Sequence, residues 1–384
     1  MDKQYYQINI ALMGAASSGK TTFINALFSE HYGETSIKKT TMHPQIYIES
    51  DTIDQNIYNV CVEINKKKDN LKEVEHKVKI INDFIDTPCK NNLRLAIHDL
   101  PGLNSTTKRN IHYEYVKNNF YKYDIIIYVI DINSALNTTD EIDVLKLIFK
   151  QIELNKQKYG IITKLIILVN KCDKITMEDN NFMLNADDKE YNELYRQIQT
   201  IIAIKNKNNI FYQILPISCG NAFIYNTLVN SPEKLTESQM NKVGIELFGN
   251  IYWKKLNCEN KRLRLTNYLK ENEYYFKESL FLNSKFPNLK NILNNLFKDE
   301  LYLELVLNSF KKQFFEDIEK CTIENKDLKG FENFINFIEG LCSIMIRVKK
   351  FFKTVTQTFG IDKKNFKNNK IFIETKNIIK QKVE

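Results

Sequence analysis

Hydrophobic and polar positions along this chain follow two rhythms in succession. Up to about residue 230, short runs that are apolar on consecutive positions alternate with stretches whose apolar residues recur every three or four. The runs cover 8–13, 46–49, 93–98, 125–130, 165–169 and 211–217. They are rich in Ile, Leu and Val, which predicts strands covered on both faces. Helices are predicted between them at 21–28, 113–119, 140–155 and 191–204. Regular alternation of this kind predicts an α/β fold, a doubly wound and mostly parallel sheet. Residues 51–90 break the rhythm and read as an insertion between core strands. Within it Leu71, Val74, Val78 and Ile81 recur at helical spacing and predict a helix over about 66–81.

After Ser231 the pattern becomes mostly helical. Stripes run through Leu289, Ile292, Leu293 and Leu296, then Leu301, Leu305, Phe310, Phe314 and Ile318, then Phe334, Ile338, Leu341, Met345 and Phe352. Helix–helix packing explains such stripes more simply than a ligand-contacting face. The expected organisation is a nucleotide-binding domain over 1–298, with the insertion at 51–90 and a helical extension at 231–298, followed by a C-terminal helical region over 299–384.

Composition and charge narrow the class only a little. The 384 residues carry a formal net charge of +8, which permits an anionic partner without requiring one. Seven cysteines stand singly with no C-x-x-C pair, which argues against a disulfide framework or a zinc site and for reduced thiols in a cytoplasmic protein. No window approaches the roughly 20 apolar residues that span a bilayer, and the N-terminus lacks a signal-peptide pattern. Any membrane contact is therefore expected to be peripheral.

The chemistry begins at residues Gly14, Ala15, Ala16, Ser17, Ser18, Gly19, Lys20 and Thr21, which spell G-x-x-x-x-G-K-T between a predicted strand and a predicted helix, with Thr22 next in line. In that setting backbone N–H groups of the turn surround a phosphate, and the following helix directs its positive dipole end at the same anion. Lys20 is placed to reach the β- and γ-phosphates and the Thr21 hydroxyl to ligate Mg2+. Three further loops follow in order. The strand at 93–98 runs into Asp99-Leu100-Pro101-Gly102, where Asp99 suits the metal and Gly102 offers an N–H to the γ-phosphate. The strand at 165–169 ends in Asn170-Lys171-Cys172-Asp173. There the Asp173 carboxylate matches the two donors on the guanine edge and mismatches adenine, with Lys171 along the base and Asn170 tying the loop to the phosphate loop. The last strand leads to Ser218, Cys219 and Gly220, whose N–H groups are candidates for guanine O6. Between the first two motifs lies Thr40-Thr41-Met42-His43-Pro44. One threonine is expected to meet Mg2+ and the attacking water. Thr41 is the first choice and Thr40 the second.

These motifs resemble the dynamin-like GTPases. Asp99-Leu100-Pro101-Gly102 matches that family's D-x-P-G, Thr41-Met42-His43-Pro44 has the spacing of its T-R-R-P segment, and Pro287 through Phe297 is similar to the leucine-rich helix that closes its GTPase domain. The resemblance spans about residues 5–298. It implies a Mg2+-dependent GTPase that hydrolyses GTP to GDP and phosphate, with homodimerisation across the nucleotide face and action at membranes. The expected catalytic set is Lys20, Thr41, Ser17 and Gly102. The expected metal set is Thr21, Thr41 and Asp99.

Two departures stand out. Ala16 occupies the place of the dynamin P-loop glutamine that positions water, while Ser17 keeps the serine that follows it, and Leu103 after Gly102 supplies no substitute. The stretch after Phe297 is short for a full dynamin stalk and lipid-binding module, which argues against membrane scission by helical assembly. A non-catalytic GTP-dependent switch or scaffold is thus the alternative function. An RNA- or ribosome-associated GTPase, prompted by the basic residues from Arg347 to Lys370, ranks third because no RNA-binding module is recognisable. Arg347–Lys353 with Phe351 and Phe352 also fits an anionic membrane surface, although a core helix with a solvated face explains it more simply. No DNA partner is expected.

Overall fold

The computed structural model describes residues 6–33, 41–66, 71–80, 93–103, 109–173, 175–178, 181–184, 189–296, 304–305, 308–309 and 311–312. The chain divides into two units, Met1–Lys312 and Gln313–Glu384, and every described residue lies in the first. Thr40, Phe297, the third helical stripe and the basic stretch at 347–353 lie outside the described residues.

All six predicted strands form, and they join one sheet. Its members are β1 (Tyr6–Gly14), β2 (Gln45–Glu49), β3 (Val74–Val78), β4 (Leu93–Asp99), β5 (Ile125–Asp131), β6 (Lys164–Asn170) and, after the small antiparallel pair β7 (Ile175–Glu178) and β8 (Asn181–Leu184), β9 (Tyr212–Pro216). The order across the sheet is β3-β2-β4-β1-β5-β6-β9. The sheet is parallel except where β2 meets β4; β2 and β3 run parallel to each other. The fold class predicted from the sequence is therefore the one observed.

Helices cover both faces. On one side α1 (Lys20–Phe28), α6 (Cys219–Asn230) and α11 (Phe286–Leu296) pack Phe23, Phe28, Phe223, Leu289 and Leu293 against Ile10, Leu12, Ile127 and Leu168. On the other, α3 (Arg109–Asn119), α4 (Thr139–Tyr159) and α5 (Lys189–Lys205) pack Val116, Val144, Ile148, Ile198 and Ile202 against Met13, Ile126 and Ile167. Burying each such side chain contributes about 1.5–3 kcal/mol, which is why both faces of β5 and β6 are apolar. A separate cluster around Trp253, Met240, Leu265 and Phe276 unites α7 (Glu237–Phe248), α8 (Asn250–Lys254), α9 (Cys258–Glu271) and α10 (Glu273–Phe276). Among the described cysteines, Cys61, Cys172 and Cys219 are buried free thiols and Cys258 is exposed.

The insertion differs from its prediction. In place of a helix over 66–81, the chain forms α2 (Ile57–Lys66) and then β3, which pairs with β2 from Gln45↔Val74 to Glu49↔Val78. The sequence fits both periods, because Val74 and Val78 are four apart and also lie on one face of an alternating strand. The open edge of β2 decides between them. Its unpaired backbone groups gain partners from an added strand, which buries His76 and Val78 and leaves Glu75 and Lys77 exposed. The insertion is therefore partly a piece of the core sheet.

A buried polar chain crosses the sheet near β1. The His98 Nε2 atom lies 3.2 Å from Asn9 Oδ1, Asn9 N–H donates to Asp124 Oδ2 at 3.0 Å, and Lys312 Nζ pairs with Asp124 Oδ1 at 2.6 Å. Burial, together with the charges of Lys312 and Lys122, pushes the His98 pKa down to about 3 from its ordinary 6.5. Below pH 6.5 the unfolded chain binds a proton that the folded chain refuses, so stability is lost as pH falls from about 6.5 towards 3. At pH 5 this amounts to about 2 kcal/mol. His98→Gln retains a donor for Asn9 and is expected to lose that much less than the parent between pH 7.5 and 5 in denaturant titrations. Equal losses in the two proteins would refute the assignment.

Candidate nucleotide site

Strand β1 delivers the chain into the glycine-rich loop, and α1 begins at its far end. Gly19 caps α1 with φ 99°, its first turn holds no acidic residue, and no side chain caps it. The first N–H groups of the helix are thus left to an anion. Gly19 is required twice over. Its φ is in the left-handed region, and a Cβ there would lie 2.1 Å from Asn170 Nδ2. Ser17 also has a positive φ of 62°. Lys20 is buried, and its Nζ donates to the carbonyls of Ala15 at 2.8 Å and Gly14 at 3.2 Å. Ser18 Oγ is buried with no hydrogen-bond partner among the described residues.

Three oxygen-bearing side chains meet beside this loop. Asp99, at the end of β4, accepts at Oδ2 from Thr21 Oγ1 at 3.1 Å and from Thr41 Oγ1 at 3.3 Å; the two hydroxyls lie 3.4 Å apart. Asp99 Oδ1 is buried and has no hydrogen-bond partner among the described residues. Burial pushes the Asp99 pKa up, while the Lys20 charge and the two hydroxyls pull it down. A buried carboxylate with an unmet oxygen and two converging hydroxyls fits a hard divalent cation such as Mg2+. Thr41, the first choice of the two candidate threonines, reaches this cluster; Thr40 lies outside the described residues.

The loop after β4 lies directly on the glycine-rich loop. A Cβ on Gly102 would fall 2.8 Å from the Ala16 nitrogen and 3.3 Å from the Ala16 Cβ. The backbone of the two loops is therefore in contact at the position where a glutamine side chain would begin. Leu103 is buried and belongs to the apolar cluster with Val116 and Phe120.

The third and fourth loops are tied to the first by one side chain. Asn170 Nδ2 donates to the Ser18 carbonyl at 2.9 Å, and Asn170 Oδ1 accepts from the Cys219 N–H at 3.1 Å. Asp173 accepts from Ser218 Oγ at 2.6 Å and pairs through its other oxygen with Lys242 Nζ at 3.0 Å. Lys171, at φ 66°, pairs with Asp131 at the end of β5. Ser218 Oγ also caps α6 by accepting from Asn221 N–H. The Ser218 N–H is bonded to the Ser284 carbonyl. Of the three N–H groups considered for guanine O6, that of Gly220 is the one these bonds leave over.

Sequence reasoning did not find Asp131, Lys242 or Asn65. Asp131 carried a usable signal, a carboxylate at the end of a core strand. Lys242 lies on α7, outside any motif. Asn65, on α2, accepts at Oδ1 from the N–H groups of Met42 at 2.8 Å and His43 at 3.3 Å, which fixes the backbone just after Thr41.

With four loops assembled at one end of the sheet, the comparison with known proteins is direct. Residues 10–172 match the profile of the Dynamin family. Over that stretch the chain is similar to the Dynamin family. An uncharacterised protein of Acanthamoeba polyphaga mimivirus is 27% identical over 241 residues, covering 56% of this chain and 38% of that protein. The chain thus spans well under half the length of that relative. Among solved structures, a member of an oligomerised bacterial dynamin pair described as sensing and tethering membranes covers 94% of this chain and 59% of its own, at 16% identity and TM-score 0.38. Toc33 from Arabidopsis thaliana covers 56% and 71%, at 11% identity and TM-score 0.34.

Proposed function

We propose that the dynamin-like domain binds GTP with Mg2+ and hydrolyses it to GDP and phosphate. The observation that carries this reading is the meeting of Asp99, Thr21 and Thr41 beside the Lys20 loop, with Asn170 tying that loop to Asp173. Mg2+ would be held by the Thr21 and Thr41 oxygens and the Asp99 carboxylate, and would supply neutralising charge at the β- and γ-phosphates. Lys20 turns from the Gly14 and Ala15 carbonyls to the phosphates, while the N–H groups at the start of α1 and of Gly102 receive the charge that develops on the γ-phosphoryl oxygens. Asp173 takes the two guanine donors and the Gly220 N–H takes O6.

Ala16 and Leu103 leave no glutamine to place the attacking water, and Leu103 is committed to the core. Ser17 and the Thr41 carbonyl remain, along with a second copy of the chain across the nucleotide face. In this reading the functional organisation is a GTPase domain over 1–298 with a helical region beyond it. Cytoplasmic action, with peripheral contact to an anionic membrane, accompanies the cycle. Turnover measured over a range of protein concentrations tests the hydrolytic part. The expected result is a rate per chain that rises severalfold with concentration. A rate that stays flat refutes dimer-assisted catalysis. Absence of turnover at every concentration, with GTP bound, selects the second reading, a GTP-dependent switch, which the same Ala16 and Leu103 favour.

A further inference from the structure

The insertion that builds α2 and β3 also grips the switch segment. Asn65 Oδ1 accepts from both the Met42 and His43 N–H groups. The Lys72 N–H donates to His43 Nδ1 at 3.2 Å, and Gln45 Nε2 donates to the His43 carbonyl at 3.3 Å. Residues immediately C-terminal to Thr41 are thus bonded on three sides by groups the insertion carries or braces. Helix α2 is oriented to do this. Ile57, Cys61 and Asn65 recur every four residues on one face. Ile57 and Cys61 are buried in the core, and Cys61 Sγ lies 3.4 Å from His76 Nε2 on β3 and 3.5 Å from Gln45 Oε1 on β2. His76 Nε2 in turn lies 2.7 Å from Gln45 Oε1. The edge strand, the helix and the switch segment therefore form one bonded unit, ending with the Thr41 hydroxyl 3.3 Å from Asp99 Oδ2.

We infer that Asn65 is a positioning residue for the nucleotide cycle: its side-chain oxygen holds the Thr41 backbone in the metal-facing arrangement before the γ-phosphate arrives. A switch threonine that must be drawn in by the nucleotide consumes binding free energy in ordering its loop. Here that ordering is met in advance by two backbone donors satisfied by one acceptor. The oxygen is the requirement, since both bonds run from backbone N–H to Oδ1, and the amide nitrogen of Asn65 has no part in them. The inference rests on Thr41 being the metal and γ-phosphate threonine.

Fluorescent GDP and a fluorescent non-hydrolysable GTP analogue, each titrated over a range of Mg2+, provide the test. Asn65→Leu is expected to bind GDP within about twofold of the parent. It should bind the GTP analogue about tenfold more weakly and need more Mg2+ to reach half-saturation, the scale of one to two lost hydrogen bonds. Asn65→Asp keeps an acceptor oxygen and should recover most of that loss. GDP binding serves as the folding control. If Asn65→Leu does not fold, Asn65→Ala makes the same comparison with a smaller side chain. Unchanged GTP-analogue binding in the Leu or Ala variant, or equal loss in the Asp variant, overturns the role of Asn65. Thr41→Ala separates the two layers. If Thr41→Ala itself binds the GTP analogue with unchanged Mg2+ dependence, the assignment of Thr41 fails, whatever Asn65 does.

Discussion

Lys20→Ala is expected to lower GTP turnover by about 10²–10³-fold, the cost of removing one preorganised donor from developing charge. The structure gives two reasons for a large loss. The ammonium is buried and close enough to oppose the rise that burial imposes on the Asp99 pKa, so it acts in a low-dielectric setting where a charge on phosphate oxygens is poorly screened. It is also the donor on the Gly14 and Ala15 carbonyls, so its removal loosens the loop whose N–H groups are proposed to cradle the phosphates. Lys20→Arg is not expected to rescue, because a planar guanidinium does not fit the space of a buried ammonium on an unbranched stem. Steady-state phosphate release at saturating GTP measures the effect, and circular dichroism confirms that the variant is folded. A variant hydrolysing GTP at the parent rate would remove the catalytic site from this loop.

How much of this was legible in the sequence depends on how far apart the cooperating residues lie. The glycine-rich loop, the Asp99 loop and the Asp173 loop are each written in contiguous residues at strand ends, and a buried strand followed by such a loop has few other readings. The strands themselves were legible because a sheet covered on both faces demands unbroken apolar runs such as 125–130. The edge strand β3 was not, since Val74 and Val78 satisfy two periods at once and the choice was made by the open edge of β2, a tertiary fact. Asn65 and Lys242 were hidden for a related reason. Asn65 lies more than twenty residues from the segment it holds, and Lys242 lies 69 residues beyond Asp173. In both cases an ordinary polar residue on a helix acquires its role only when the fold brings it to a loop.

Asp173→Asn should shift the preference of the site from GTP to xanthosine triphosphate by roughly 10- to 100-fold, the cost of one mismatched polar contact to the base. The carboxylate offers two acceptors to the N1–H and 2-amino group of guanine. An amide offers one acceptor and one donor, which matches N1–H and the 2-carbonyl of xanthine. The neighbours of Asp173 determine how cleanly this exchange works. Ser218 Oγ donates to Oδ1 at 2.6 Å, and in the Asn variant that bond selects the amide orientation with oxygen towards Ser218. The NH2 group then takes the place of Oδ2, the oxygen that faces Lys242 Nζ at 3.0 Å. A donor in that position repels the ammonium. Both side chains of the pair are substantially exposed, 42% each, so the lost ion pair costs at most about 1 kcal/mol and Lys242 can swing into water. The double variant Asp173→Asn with Lys242→Ala is therefore expected to bind xanthosine triphosphate at least as tightly as Asp173→Asn alone. Competition of xanthosine and guanosine triphosphates against a fluorescent nucleotide measures both preferences. Retained selectivity for GTP in both variants would show that Asp173 does not read the base.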